Sequence, residues 1–261
     1  MENKRFKIIA TFIIIFLLIV LGVIGYFIYV AFNNNAVQDD YEKLSSSVAS
    51  VSEKTSKEET KDKKPKNPID FKSLKKTNKE IFAWIKIPDT NVNYPILQSE
   101  KADDFYLHRD YRGYNSYAGA LYIEYCNNTD LTDRVTVVYG HNMQNGSMFA
   151  NLHKFENPDF FKKHRYFYVY TPDRKLTYEV VSGHNYSTKH IMNSYNFTED
   201  KVFKDYLDFI QNPRSTVRNV RTKLDHKLTV DDRIITLSTC LNIGDGRYLL
   251  QGVLVKDEFT R

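Results

Sequence analysis

Apolar and polar positions divide this chain of 261 residues into three stretches of different character. From Ile8 to Phe32 no charged side chain occurs in 25 residues. Wound as a helix rising about 1.5 Å per residue, that run exceeds the ~30 Å hydrocarbon thickness of a bilayer, and one membrane-spanning helix over 8–32 is predicted. Residues 33–67 are rich in Ser, Lys, Glu and Asp and poor in large apolar side chains. They bury too little surface to offset the entropy of ordering, so a flexible stalk is expected, with some helix near Tyr41 to Leu44.

From Pro68 to Arg261 the pattern is that of one globular domain: short runs of Val, Ile, Tyr and Phe separated by turn residues. Such runs read as strands, over 84–87, 92–96, 120–125, 135–139, 166–170, 176–182, 233–239 and 248–256. Eight short strands with few helices predict a mostly β domain closed as a barrel or stacked as a sandwich. Two helices are expected, over 71–82 and 199–211. In the second, Val202, Phe203, Tyr206, Leu207 and Ile210 recur at helical spacing, Thr198 can cap the start, and Pro213 follows the end.

Charge refines the picture at the N-terminus. Lys4, Arg5 and Lys7 precede the apolar run, as in a signal peptide, but the run is longer than the roughly 7–15 residues of a signal core and no small-x-small cleavage site follows. An uncleaved anchor is the reading, with 1–7 cytoplasmic and everything after Phe32 outside. The net charge of +5 does not argue for nucleic acid, because much of the lysine lies within 54–79, a solvated or membrane-proximal run. Neither a zinc-ligand spacing nor a phosphate-binding glycine loop is present, and no cofactor is expected. Two cysteines, Cys126 and Cys240, are too few for a disulfide framework, which leaves at least one thiol free for chemistry.

Cys240 ends the run Thr236-Leu237-Ser238-Thr239-Cys240, and Gly244, Asp245 and Gly246 mark a turn after it. A thiol at a strand end is accessible, although a single cysteine is as often a small buried hydrophobe. A cysteine nucleophile needs a base or imidazolium partner, and His141, one of seven histidines, opens a loop after the 135–139 strand in Tyr139-Gly140-His141-Asn142-Met143. Arg247 opens the strand after the Cys240 turn, so an antiparallel hairpin brings the two to one mouth. There a guanidinium can stabilise an oxyanion. Arg233 lies seven residues before Cys240, hence ~23 Å away and on the other face of the strand. It reads as a surface charge. Cys126 is expected simply to pack, and no acidic side chain can be nominated as the group that orients His141.

Together these three motifs resemble the sortase family, class B in particular. So do Phe82-Ala83-Trp84-Ile85-Lys86-Ile87-Pro88, Asn93-Tyr94-Pro95-Ile96, Phe105-Tyr106-Leu107, Ala118-Gly119-Ala120 and Gly146-Ser147-Met148-Phe149, in order along 71–256. The resemblance implies an eight-stranded sortase-type β-barrel, preceded by an N-terminal helix and carrying an extra helix between its sixth and seventh strands. The loop 241–246 is shorter than in many class B members. The implied chemistry is a cysteine transpeptidase of a Gram-positive cell surface. Cys240 attacks the carbonyl after a threonine in the C-terminal sorting signal of a secreted protein, His141 serves as acid and base, Arg247 holds the oxyanion, and Ser238, two residues from Cys240 on the same face, lines the groove. A lipid-linked cell-wall precursor supplies the acceptor amine. Within enzymes the alternatives are a pilin-polymerising sortase and a membrane-anchored cysteine protease. Outside enzymes, the alternative is a surface binding module with an inert Cys240.

Overall fold

The computed structural model describes residues 2–53 and 64–261. Its first element is a single long helix, α1 (Glu2–Glu53). It is the one described helix long and apolar enough to cross a membrane, and its apolar side chains are solvent-facing, Phe12, Phe16 and Leu18 among them. Residues up to Asp40 form one compact unit and Tyr41–Arg261 the other.

The helix differs from the expected stalk, because it continues past Asn33 to Glu53. In its last part Tyr41 and Val48 are buried, seven residues apart and so on one face. The Tyr41 hydroxyl donates to the Gly119 carbonyl at 3.0 Å, and its ring meets Tyr94 edge-on. Two apolar residues at helical spacing supply the burial that a count of polar residues overlooks. Part of the 33–67 stretch, 54–63, lies outside the described residues.

In the larger unit, α2 (Phe71–Thr77) is capped by Asp70, whose carboxylate accepts from the Ser73 backbone and hydroxyl. It is shorter than the expected 71–82. Asn78 turns the chain extended and is fixed there by its amide, which donates to Tyr106 and the Tyr111 carbonyl. Strand β1 (Ile81–Lys86) therefore starts three residues early.

The strands that follow are β2 (Asn93–Leu97), β3 (Leu121–Tyr122), β4 (Val135–Tyr139), β5 (Tyr166–Tyr170) and β6 (Arg174–Tyr186). A short β7 (Arg218–Val220), β8 (Ile234–Cys240) and β9 (Arg247–Phe259) complete the set. Eight of them run β5-β1-β2-β3-β4-β8-β9-β6, and β6 pairs back onto β5 to close the barrel. The ninth, β7, is an unexpected appendage on β6. The expected strand 120–125 shrinks to two residues, while β6 and β9 lengthen to 13 each and pair along their length.

After two short helices, α3 (Pro158–Lys163) and α4 (Ile191–Ser194), helix α5 (Asp200–Gln211) lies between β6 and β8, the sixth and seventh barrel strands. Its cap position is Glu199, without a side-chain cap bond. Thr198 instead donates its hydroxyl to Asn196. Phe203, Tyr206, Leu207 and Ile210 pack on Val135, Val137, Ile234 and Val253, which removes the apolar stripe from water. Among those apolar contacts the Tyr206 hydroxyl meets Thr236 at 3.0 Å and accepts from Gln251 at 2.9 Å. The central strands β4, β8 and β9 are thereby fixed to a rigid backing.

Candidate active site

The pairing of three strands decides what meets at one mouth of the barrel. β4 and β8 are parallel, with Tyr139 opposite Ser238, and the Gly140 amide donates to the Ser238 carbonyl at 3.1 Å. Two residues on from each pair member, His141 and Cys240 emerge at the same level. Antiparallel β9 begins with Arg247 directly opposite Cys240. Gly140 is glycine for a local reason: a Cβ there collides with the side chains of Leu121 and Phe149.

At this mouth Arg247 Nη1 lies 3.6 Å from Cys240 Sγ and donates to the Gly246 carbonyl at 3.1 Å. Cys240 is exposed. Ser238 is buried and shares with Thr236 and Cys240 one face of β8. All four predicted residues, Cys240, His141, Arg247 and Ser238, line a single cavity of about 210 Å³. Arg233 is not among them. It sits before β8 and pairs with Asp257 at 3.1 Å.

His141 is oriented by a backbone group. Its Nε2 lies 2.7 Å from the Leu107 carbonyl, and since a carbonyl only accepts, Nε2 carries the hydrogen and Nδ1 is left to exchange a proton. Its ring stacks near those of His108 and Tyr117, at 5.7 and 6.0 Å between centroids. Burial pushes the His141 imidazole below its ordinary value; the Leu107 hydrogen bond pushes back, and His108 and Arg247 add to the lowering.

The remaining wall was not foreseen. Glu124, Tyr139, Tyr186, Lys189 and His190 line the cavity beside the four predicted residues. His190 Nε2 donates to Glu124 at 2.7 Å, and Nδ1 accepts from the Asn193 amide at 3.2 Å. One ring thus ties the segment after β6 to the turn that follows β3 and caps α4 (Ile191–Ser194). Burial, then the charge of Glu124, raises the Tyr139 phenol, which stays protonated and donates to Glu124 at 3.3 Å.

Cys126 does not pack as expected. It is exposed in the turn after Glu124. Partial burial of its sulfur, with Glu124 and Asp103 nearby, pushes the thiol up to about 11. Among the described residues no cluster of three or more His, Cys, Asp or Glu side chains is placed to hold a metal ion.

Comparison with known proteins agrees with this geometry. Residues 85–255 match the family model described as the sortase domain. Over 189 residues, 71% of this chain and 74% of the relative, the sequence is 36% identical to sortase B of Listeria monocytogenes. Identity to sortase B of Staphylococcus aureus is 30% over 241 residues, 92% of this chain and 91% of the relative. Among solved structures, the Staphylococcus aureus sortase B–substrate complex superposes with a TM-score of 0.70 at 27% identity, covering 86% of this chain and 99% of that one.

Proposed function

Since the chain belongs to the sortase family of cysteine transpeptidases, we propose that Cys240 is its nucleophile, His141 its acid and base, and Arg247 its oxyanion donor. The observation that carries this reading is the cavity in which Arg247 Nη1 stands 3.6 Å from Cys240 Sγ with His141 on the adjoining strand end.

The Cys240 thiol passes its proton to Nδ1 of His141, and the thiolate attacks the carbonyl carbon after a threonine in the C-terminal sorting signal of a secreted protein. A C–S bond forms, and the negative charge on the carbonyl oxygen is met by Arg247, a donor that cannot lose its proton. Collapse breaks the C–N bond, and the departing amine takes a proton from His141, through Nδ1. An amine of a lipid-linked cell-wall precursor then attacks the thioester, yields its proton to His141, and leaves a new amide and a free Cys240. The peptide lies in the cavity along Ser238. That a peptide substrate is bound at all is supported by a relative solved as a sortase B–substrate complex, 99% of whose chain is covered.

Residues 1–7 are a cytoplasmic tail, 8–32 the membrane anchor and 33–67 the connection to the catalytic domain, 68–261, outside the cell. Lys4, Arg5 and Lys7 before the apolar run favour this orientation. Anchoring brings enzyme, secreted substrate and lipid-linked acceptor to one membrane surface. The test is incubation with peptides carrying a scissile Thr, with and without an added amine. A thioacyl adduct on Cys240 that the amine releases as a new amide is expected. An adduct surviving in Cys240→Ala would sink the assignment, and release only as free acid would make the enzyme a protease.

A further inference from the structure

The carbonyl oxygen of Cys240 is gripped by two side chains that do not line the cavity described above. His153 Nε2 lies 2.9 Å from it, and Asn142 Nδ2 lies 3.1 Å from it. Asn142 also donates to Asn242 Oδ1, at 2.8 Å, within the 241–246 loop. The opposite ring nitrogen of His153, Nδ1, pairs with Glu156.

His153 and Glu156 both belong to the 3-10 turn Ala150–Glu156, where residues three apart eclipse one another. The His153 side chain is 9% exposed, and its ring lies 4.9 Å from that of Tyr248. Since the Cys240 carbonyl only accepts, Nε2 of His153 carries a hydrogen. With Nδ1 on Glu156 and Nε2 on the Cys240 carbonyl, the ring is held at both ends.

Such a grip has a purpose at this position. Cys240 is the last residue of β8, and the loop after it is closed by a single long backbone bond, from the Leu241 amide to the Gly246 carbonyl at 3.4 Å. Gly244 and Gly246 take positive φ in that loop. Backbone pairing alone therefore holds the Cys240 carbonyl loosely, and rotation there moves Sγ relative to His141 and Arg247. A shift of about 1 Å in a reacting atom costs on the order of 100-fold in rate.

We propose that Glu156, His153 and Asn142 are positioning residues that fix the nucleophile by clamping its own carbonyl. The clamp rests on the reading of Cys240 as nucleophile. None of its three side chains lines the cavity, so it acts on kcat rather than on KM.

The experiment uses the full chain in detergent with fluorogenic peptides carrying a scissile Thr, reading kcat, KM, thermal midpoint and the rate of Cys240 alkylation. His153→Ala lowers kcat about 10- to 100-fold with KM unchanged within about twofold. His153→Gln, whose amide nitrogen reaches the place of Nε2, recovers most of it. Asn142→Ala and Glu156→Gln give smaller falls. A purely structural role lowers the thermal midpoint without separating kcat from KM and without rescue by Gln. Wild-type kcat in a folded His153→Ala overturns the proposal, as does a His153→Gln no better than Ala. Should His153→Ala not fold, wild-type kcat in both Asn142→Ala and Glu156→Gln overturns it. Cys240→Ala is run in parallel. Its turnover would dispose of the nucleophile assignment, whereas normal kcat in the clamp variants beside an inactive Cys240→Ala disposes of the clamp alone.

Discussion

The ring of His141 is held by the backbone carbonyl of Leu107, with Nε2 2.7 Å from that oxygen. This contact selects the tautomer and leaves Nδ1 as the exchanging nitrogen, a task that in many cysteine and serine enzymes falls to a carboxylate or amide side chain. A carbonyl brings no full negative charge, so burial, reinforced by His108 and Arg247, prevails and the imidazole titrates below its ordinary value. The acid limb of kcat/KM is therefore expected below 6.5, with activity rising as pH climbs through it. Replacing His108 with Ala removes a positive neighbour and part of the cover, both of which depress the ring, and the limb moves to higher pH. A pH–rate profile with the limb unmoved or shifted down would contradict this account. His141→Ala is expected to cost about 10²- to 10⁴-fold in kcat/KM.

Arg247 is more than a positive charge near Cys240. Its Nη1 serves two partners, the Gly246 carbonyl at 3.1 Å and Cys240 Sγ at 3.6 Å, and the planar guanidinium fixes the direction of its donors where those of an ammonium rotate on a flexible stem. Arg247→Lys keeps the charge and loses the fork. A fall in kcat/KM of about 10²-fold is expected, by analogy with removal of one oxyanion donor. Steady-state kinetics with the fluorogenic peptide measure it, and unchanged kcat/KM takes Arg247 out of the mechanism.

The two thiols differ in surroundings although both residues are exposed. Partial burial of its sulfur, then the charges of Glu124 and Asp103, push the Cys126 thiol up to about 11, whereas Cys240 faces a guanidinium. Alkylation near neutral pH should label Cys240 first. In Cys240→Ala the remaining thiol should react slowly, its rate climbing about tenfold per pH unit until the approach to 11, because only the thiolate attacks. Peptide mapping after timed iodoacetamide treatment reads both, and equal labelling of the two cysteines would count against a special role for Cys240.

The ends of strands were legible in the sequence because alternation and turn residues are local. The run from Val135 to Tyr139 and the run ending at Cys240 gave β4 and β8 within a residue, and the Cys240–Arg247 hairpin followed from chain order alone. What escaped was set by distant partners. Leu107 contributes a main-chain oxygen, which no residue type advertises. Glu124 and His190 are far apart in sequence and meet through the barrel closure. Tyr41 and Val48 find burial only because folded surface is waiting for them, and β3 is cut to two residues because just one residue pair joins it to β4. Cys126 shows the converse error, since a cysteine after an apolar run is normally packed, but the strand ends at Tyr122 and carries it into a turn.

His184 on β6 offers a test of the fold independent of catalysis. It is 1% exposed, and neither ring nitrogen has a hydrogen-bond partner; its ring meets Phe209 of α5 edge-on. Burial lowers it to about 4 from the ordinary 6.5. The unfolded chain takes up a proton near 6.5 that the folded chain refuses until about 4, so stability is intact above the upper value and drains as pH falls through that window. At pH 5 the loss amounts to about 2 kcal/mol at 1.36 kcal/mol per unit. His184→Leu keeps the apolar contact with Phe209 and removes the titration. Urea unfolding of the wild type should lose about 2 kcal/mol more between pH 7.5 and 5 than that of the variant, and equal losses would mean that His184 is protonated inside the folded barrel.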